Sequence, residues 1–159
     1  MSFDLLKQGD KAPDFSLENY NGEVISLKDF KGKKFIIWFF PKASTPGWTV
    51  EGCGFRDEFE DFKNTGYEIV GVSADSVKKQ QKFVEKYDFP FFMLSDESKE
   101  MLIDYKVWAL KKFMGKEYMG ILRVTYIIDE KGKIQKVYDK VKTKTHAQDI
   151  LTDIAKISS

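Results

Sequence analysis

The sequence predicts an α/β fold: a mixed central sheet with helices on both faces and a hairpin at its N-terminal end. Three observations carry this reading. FIIWFF at 35–40 and YEIVGVSA at 67–74 are short, nearly continuous apolar runs, the pattern of strands covered on both sides. Between and after them, apolar residues recur at steps of three and four, the stripe of helices packed on a core. LRVTYIID and IQKVYD flank EKGK as two alternating runs around a turn, the pattern of an antiparallel hairpin. Strands and helices that alternate and end in paired strands place helices on both faces of one sheet.

The elements follow in order. Residues 1–34 are turn-rich, and Pro13 and the NYNG turn at 19–22 bracket FSLEN and EVISL, two short alternating runs that predict the N-terminal hairpin. After the strand at 35–40, Thr45–Pro46 is a helix start: a side-chain oxygen caps free amides, and proline's fixed φ suits the first helical position. Trp48, Gly52, Phe55, Phe59 and Phe62 then recur on one face, and Gly66 can supply a left-handed stop near 64–66. After the strand at 67–74, SVKKQQKFVEKYDF predicts a surface helix with Val77, Val84 and Tyr87 on its inner face. FPFFMLSD at 89–96 predicts a short strand, ESKEMLIDYKV at 97–107 a short helix, and 111–116 a lysine-rich loop. A last helix over roughly 145–157 carries Ile150, Leu151 and Ile154.

Bulk properties narrow the function classes. A chain of 159 residues suits one domain, spanning 1–159, and 42% hydrophobic residues with 14 Phe argue for a folded core. Lys+Arg 26 against Asp+Glu 25 leaves a formal +1, so no field favours nucleic acid or a membrane surface. MSFDLLKQGD lacks a long apolar segment, so neither a signal peptide nor a membrane span is expected and a cytoplasmic location is. A lone cysteine excludes an internal disulfide and fits a reducing compartment. One Cys and one His make a metal site improbable, and without a glycine-rich phosphate loop no cofactor is expected. His146, the sole histidine, is assigned a surface or capping role near the start of the last helix.

The candidate chemistry lies in PKASTPGWTVEGCGFRD at 41–57. A strand, a tight loop and a helix N-terminus together aim amide N–H groups and a positive dipole end at the loop. A cysteine held there would be kept as thiolate. The first-turn position instead holds Trp48, and Cys53 comes five residues later.

This stretch resembles the active-site segment of peroxiredoxins, specifically the bacterioferritin-comigratory or peroxiredoxin Q type. Their pattern is Pro-x-x-x-Thr-x-x-Cys, with a second cysteine five residues on in many members. Pro41, Thr45 and Cys53 match it, and Trp48 stands where the peroxide-attacking residue belongs. The likeness extends to GDKAPDFSL at 9–17, VWALKKFMGKEYMGILRVTYIID at 107–129 and VKTKTHAQDIL at 141–151. The resemblance implies a thioredoxin-like fold, hydroperoxide substrates, a thioredoxin-like reductant and a monomer rather than a dimer. It also assigns the shaping of the pocket to Pro41, a hydroxyl to Thr45 and the arginine beside the thiolate to Arg123. Taken singly, Thr45 reads as a helix cap, Pro41 as a loop residue and Arg123 as a strand charge; together in this context they read as a peroxide pocket.

Tryptophan cannot act as the nucleophile, because its indole nitrogen is a donor only. Its bulk should fill the pocket or be expelled, so disorder or outward displacement of 43–50 is expected. Cys53 lies more than a turn into the helix, where the dipole effect fades, and is not expected to replace the missing nucleophile. Five helical residues rise about 7.5 Å, beyond the roughly 7 Å Cα limit for a disulfide, so the family's cysteine pair can join only if the first turns unwind. Three accounts of Trp48 stand: engineering or mutation, a selenocysteine codon (UGA) recoded or read as tryptophan, and natural loss of activity. The first two rank higher, because Thr45, Arg123 and Cys53 would drift in a retired enzyme. The leading function is a thiol- or selenol-dependent peroxidase whose present form is inactive or nearly so. The alternative is a non-enzymatic binding or chaperone-like module on the same fold. A thioredoxin-type disulfide oxidoreductase is weak, because no C-x-x-C exists.

Overall fold

The computed structural model describes residues 5–40, 46–139, 141 and 145–158. The N-terminal hairpin pairs β1 (Ser16–Asn19) with β2 (Val24–Ser26), with Leu17 opposite Ile25. Then come β3 (Lys34–Phe39), α1 (Pro46–Asp57), α2 (Phe59–Thr65), β4 (Tyr67–Ser73), α3 (Val77–Tyr87) and β5 (Phe92–Ser95). The chain continues through α4 (Glu100–Asp104), β6 (Trp108–Phe113), β7 (Lys116–Ile121), β8 (Thr125–Ile128), β9 (Ile134–Tyr138) and α5 (His146–Ser158). Seven strands form one mixed sheet in the order β2-β1-β5-β4-β3-β8-β9. β3, β4 and β5 run parallel through the two helical crossovers, and β8 and β9 extend the sheet antiparallel.

Strand period two divides the core. From β3, Phe35, Ile37 and Phe39 enter one apolar cluster and Ile36 and Trp38 enter the other, together with Phe40 just beyond the strand. The first face is covered by Met101 and Leu102 of α4 and by Phe15 and Phe30 of the N-terminal segment. The second face is covered by Phe55 of α1, Phe62 of α2, Phe83 of α3 and Ile150 and Ile154 of α5. Helices therefore lie on both faces, as the alternation predicts.

Gly66 ends α2 at φ 82 in the left-handed region, as expected. Gly52 serves closeness instead. A Cβ built on it would lie 2.8 Å from Phe89 Cζ and 3.1 Å from the Trp38 indole. Phe89 cannot swing away, because it is wedged between Phe83 (4.9 Å), Tyr87 (5.8 Å) and Phe91 (5.3 Å). Overpacking a core costs about 1–3 kcal/mol, more than the roughly 1 kcal/mol of helix propensity that alanine adds. Gly52→Ala is expected to lower unfolding stability by about 1 kcal/mol, seen as a lower midpoint in urea with an unchanged slope.

The structure corrects several expected boundaries. The lysine-rich loop at 111–116 is instead the tip of a separate two-stranded sheet, β6–β7, in which Lys112 faces Glu117. Met114 (φ 52) and Gly115 (φ 79) make the turn, the positive-φ pair that a two-residue hairpin loop needs. The helix expected over 97–107 shrinks to α4: Lys99 (φ 68) and Lys106 (φ 61) adopt left-handed conformations on either side. Asp96 accepts from Leu102 N at 2.9 Å and braces that short turn. The helix after Thr45 is two helices with a break at Glu58 (φ −99, ψ 11). The strand expected at 89–96 begins only at Phe92, after Pro90. On α3 the buried face is Gln80, Phe83 and Val84. Gln80 donates to Ser73 Oγ (3.0 Å) and Leu94 O (2.9 Å), tying that helix to β4 and β5.

Candidate active site

β3 runs up the middle of the sheet, and the next described element after it is α1. Pro41 and Thr45 lie outside the described residues, so their expected roles are not placed. α1 begins at Pro46, which makes Trp48 the third helical residue. The disorder expected over 43–50 is therefore not found in 46–50, whose backbone is helical; 43–45 and the Trp48 side chain, on which the expected displacement turns, lie outside what is described. The physical reason is anchorage further along. Phe55 is fully buried and Gly52 sits against Trp38 and Phe89, so the helix is held to the sheet independently of residue 48. The first amides of α1 have no partner within the helix, and position 48 falls in that turn.

Cys53 is a half-buried free thiol packed beside the second core cluster. Burial pushes its pKa up, against which the nearby Arg56 charge pulls down. Its cation is thus Arg56, whose Nη1 donates to Tyr87 O at 2.7 Å, and Arg123 is not among the charges acting on it. A thiol in that setting is weakly nucleophilic at neutral pH.

Arg123 lies between β7 and β8, and its charge reaches Glu51 of α1. Positions 48 and 51 are one turn apart on the same helix face. The Arg123 charge thus acts on α1 one turn beyond position 48. The same charge acts on Lys111, whose pKa burial lowers first and Arg123 lowers further. Lys111 Nζ donates to Ile121 O at 3.1 Å.

Two residues were not expected in the buried part of this site. Glu51 is 1% exposed, and neither carboxyl oxygen has a hydrogen-bond partner among the described residues. Its pKa is raised to about 8 by burial, with Arg123 opposing. His146 is not on the surface, as assigned from sequence, but 2% exposed. Its Nε2 lies 2.9 Å from Thr125 Oγ1 and 3.5 Å from Glu51 Oε1. Its ring packs edge-on to Phe55 at 5.7 Å and to Tyr138 at 5.3 Å. Burial lowers its pKa to about 4, with Asp149 opposing. The signal was present: Glu51 is one turn before Phe55 and His146 one turn before Ile150, both on apolar stripes.

No group of His, Cys, Asp and Glu among the described residues is arranged to hold a metal. No helix among them is long and apolar enough to cross a membrane.

Comparison with known proteins agrees with this architecture. The AhpC/TSA family model matches residues 8–137. The Escherichia coli (strain K12) peroxiredoxin Bcp is 44% identical over 146 residues, covering 92% of this chain and 94% of that protein. The Bacillus subtilis (strain 168) peroxiredoxin Bcp is 45% identical over 150 residues, covering 94% and 96%. A solved structure of the Xanthomonas campestris bacterioferritin comigratory protein, studied for alkyl peroxide reduction, superposes with TM-score 0.88 at 32% identity, covering 98% of this chain and all of that one. The fold is thus the thioredoxin-like fold of peroxiredoxins, and the chain belongs to the AhpC/TSA family, as a peroxiredoxin of the Bcp type.

Proposed function

We propose that this chain is the scaffold of a hydroperoxide reductase whose reactive chalcogen belongs at position 48, and that with Trp48 it is inactive or nearly so. The observation that supports the reading is that α1 begins just before position 48 while the Arg123 charge acts on Glu51, one turn further along that helix. Such a setting lowers the pKa of a thiol or selenol and stabilises oxyanions.

The chemistry it suits is a two-electron displacement. A thiolate or selenolate at position 48 attacks the terminal peroxide oxygen; a chalcogen–oxygen bond forms, the O–O bond breaks, and the other oxygen leaves as an alcohol or water after taking a proton. The resulting sulfenic or selenenic acid condenses with the Cys53 thiol, releasing water and forming a disulfide or selenenylsulfide. A thioredoxin-like dithiol then reduces that bond and is itself oxidised to a disulfide. Substrates are hydrogen peroxide and small organic hydroperoxides. Pro41 and Thr45 shape and donate to the peroxide pocket, as the resemblance implies. Selenocysteine at 48 accounts for tryptophan through a single codon, UGA against UGG.

Hydroperoxide consumption coupled to a thioredoxin–thioredoxin reductase system tests the first part. The chain as it stands is expected to run at the uncatalysed rate, and turnover well above it would contradict the proposal. Sequencing the native gene tests the second part: UGA at codon 48 supports selenocysteine, and UGG removes it.

A further inference from the structure

We propose that Glu51 and His146 are positioning residues for the α1 site: sharing one titrating proton as an uncharged pair, they hold the first turns of α1 against β8 and α5. The inference stands on the buried geometry and does not depend on the peroxidase reading.

The side chains come from three elements that meet only in the folded protein: Glu51 from α1, Thr125 from β8 and His146 from α5. Glu51 is 1% and His146 2% exposed. Thr125 is fully buried. Phe55 and Tyr138 close two sides of the imidazole. Among the described residues His146 Nε2 has one hydrogen bond, to Thr125 Oγ1 at 2.9 Å, while Glu51 Oε1 at 3.5 Å is beyond a good one. Both Glu51 oxygens are without a hydrogen-bond donor among the described residues. A buried carboxylate without donors is far costlier than a buried carboxylic acid. An imidazolium would also have to sit in an apolar cage beside a site that Arg123 already makes positive. The acid–imidazole form avoids both costs, so the contact is a neutral pair and not an ion pair.

Charged and titratable groups face the pair from each packed element. Arg123, before β8, favours ionised Glu51, and Asp149 on α5 favours protonated His146. Tyr138 on β9 contacts the imidazole, but its own pKa is driven up by burial and by Asp153, so it stays neutral. Burial outweighs these charges at both members of the pair.

Linkage follows with opposite signs. Glu51 stays protonated in the fold up to about pH 8 but ionises above about 4.5 when α1 is released, so its contribution to stability falls across that interval. His146 stays neutral in the fold down to about pH 4 but protonates below about 6.5 when released, so its contribution rises between those values. The two cancel between about pH 4.5 and 6.5, and above that range only the loss from Glu51 remains. The hold on α1 is therefore weaker in alkaline than in neutral solution.

Because the chain has a single histidine, the imidazole ¹⁵N shifts of the full chain report His146 without ambiguity. They are expected to show a neutral ring at pH 7, and an imidazolium at pH 7 would overturn the proposal in the unmodified protein. The second measurement compares denaturant unfolding of the chain and of Glu51→Gln, whose amide has the shape of the protonated acid and cannot ionise. The ratio of their unfolding constants is expected to rise up to about tenfold per pH unit between pH 5 and 8. A ratio that does not change with pH would overturn the proposal. Should Glu51→Gln fail to fold, while Glu51→Ala folds, the amide has not replaced the acid and the proposal is equally overturned.

Discussion

Trp48→Cys is expected to raise hydroperoxide consumption by roughly 10³–10⁶-fold over the chain as it stands, the range that gain or loss of a nucleophile spans when the rest of a site is present. Position 48 is the third residue of α1, where the backbone amides lack helical partners and the dipole is felt most. Arg123 acts on Glu51, one turn further along the same face. On the proposed reading a thiol introduced there meets both influences, whereas Cys53 meets Arg56 and the burial that raises its pKa. Cys53→Ser in the Trp48→Cys background is then expected to keep the first, peroxide-dependent step. It loses sustained turnover with a thioredoxin-like reductant, because no partner remains to form the disulfide.

Phe55→Ala is expected to be the most damaging single truncation near the site, lowering stability by about 3–5 kcal/mol. Phe55 is fully buried and ties α1 to three neighbours at once. Its ring contacts Trp38 of β3 at 5.4 Å, Phe62 of α2 at 5.7 Å and Phe91 at 6.4 Å. It also forms one wall around His146 at 5.7 Å. The void left by alanine would cost packing energy and would let water approach Glu51. The expected signature is a large fall in the denaturant midpoint together with a His146 pKa moved back up toward 6.5. A loss below about 1 kcal/mol would show that the cluster repacks around the void.

Much of the fold was legible because burial and pattern agree. Residues 35–40 are buried on both faces, and the alternation of Phe35, Ile37 and Phe39 with Ile36, Trp38 and Phe40 follows the strand period directly. β6–β7 was missed for the opposite reason. Its second strand is largely exposed, and its turn uses Met114 where the hairpin rule leads one to look for Asn or Asp before Gly115. α4 is shorter than expected at both ends because Lys99 and Lys106 adopt positive φ on either side of it, which nothing in their side chains announces.

The site was half legible. The helix start could be placed from the chain alone, because a proline and an apolar stripe each leave a local mark; Arg123 was named only through the family resemblance. The Glu51–His146 contact could not, since it joins α1 to α5 across the sheet-facing core and depends on tertiary packing. Each residue did leave a weak trace, a polar side chain at a core-facing step of a helical stripe. His146 was misassigned because nearness along the chain to a helix start outweighed its spacing from Ile150.

The central claim, that the site is intact but for its nucleophile, is tested most directly by intact mass after one equivalent of hydrogen peroxide. Trp48→Cys is expected to lose about 2 Da within the mixing time as the introduced thiol and Cys53 join, while the chain as it stands keeps its mass. Prompt peroxide-dependent oxidation of the Trp48 chain, or a Trp48→Cys protein that stays a dithiol, would contradict the account.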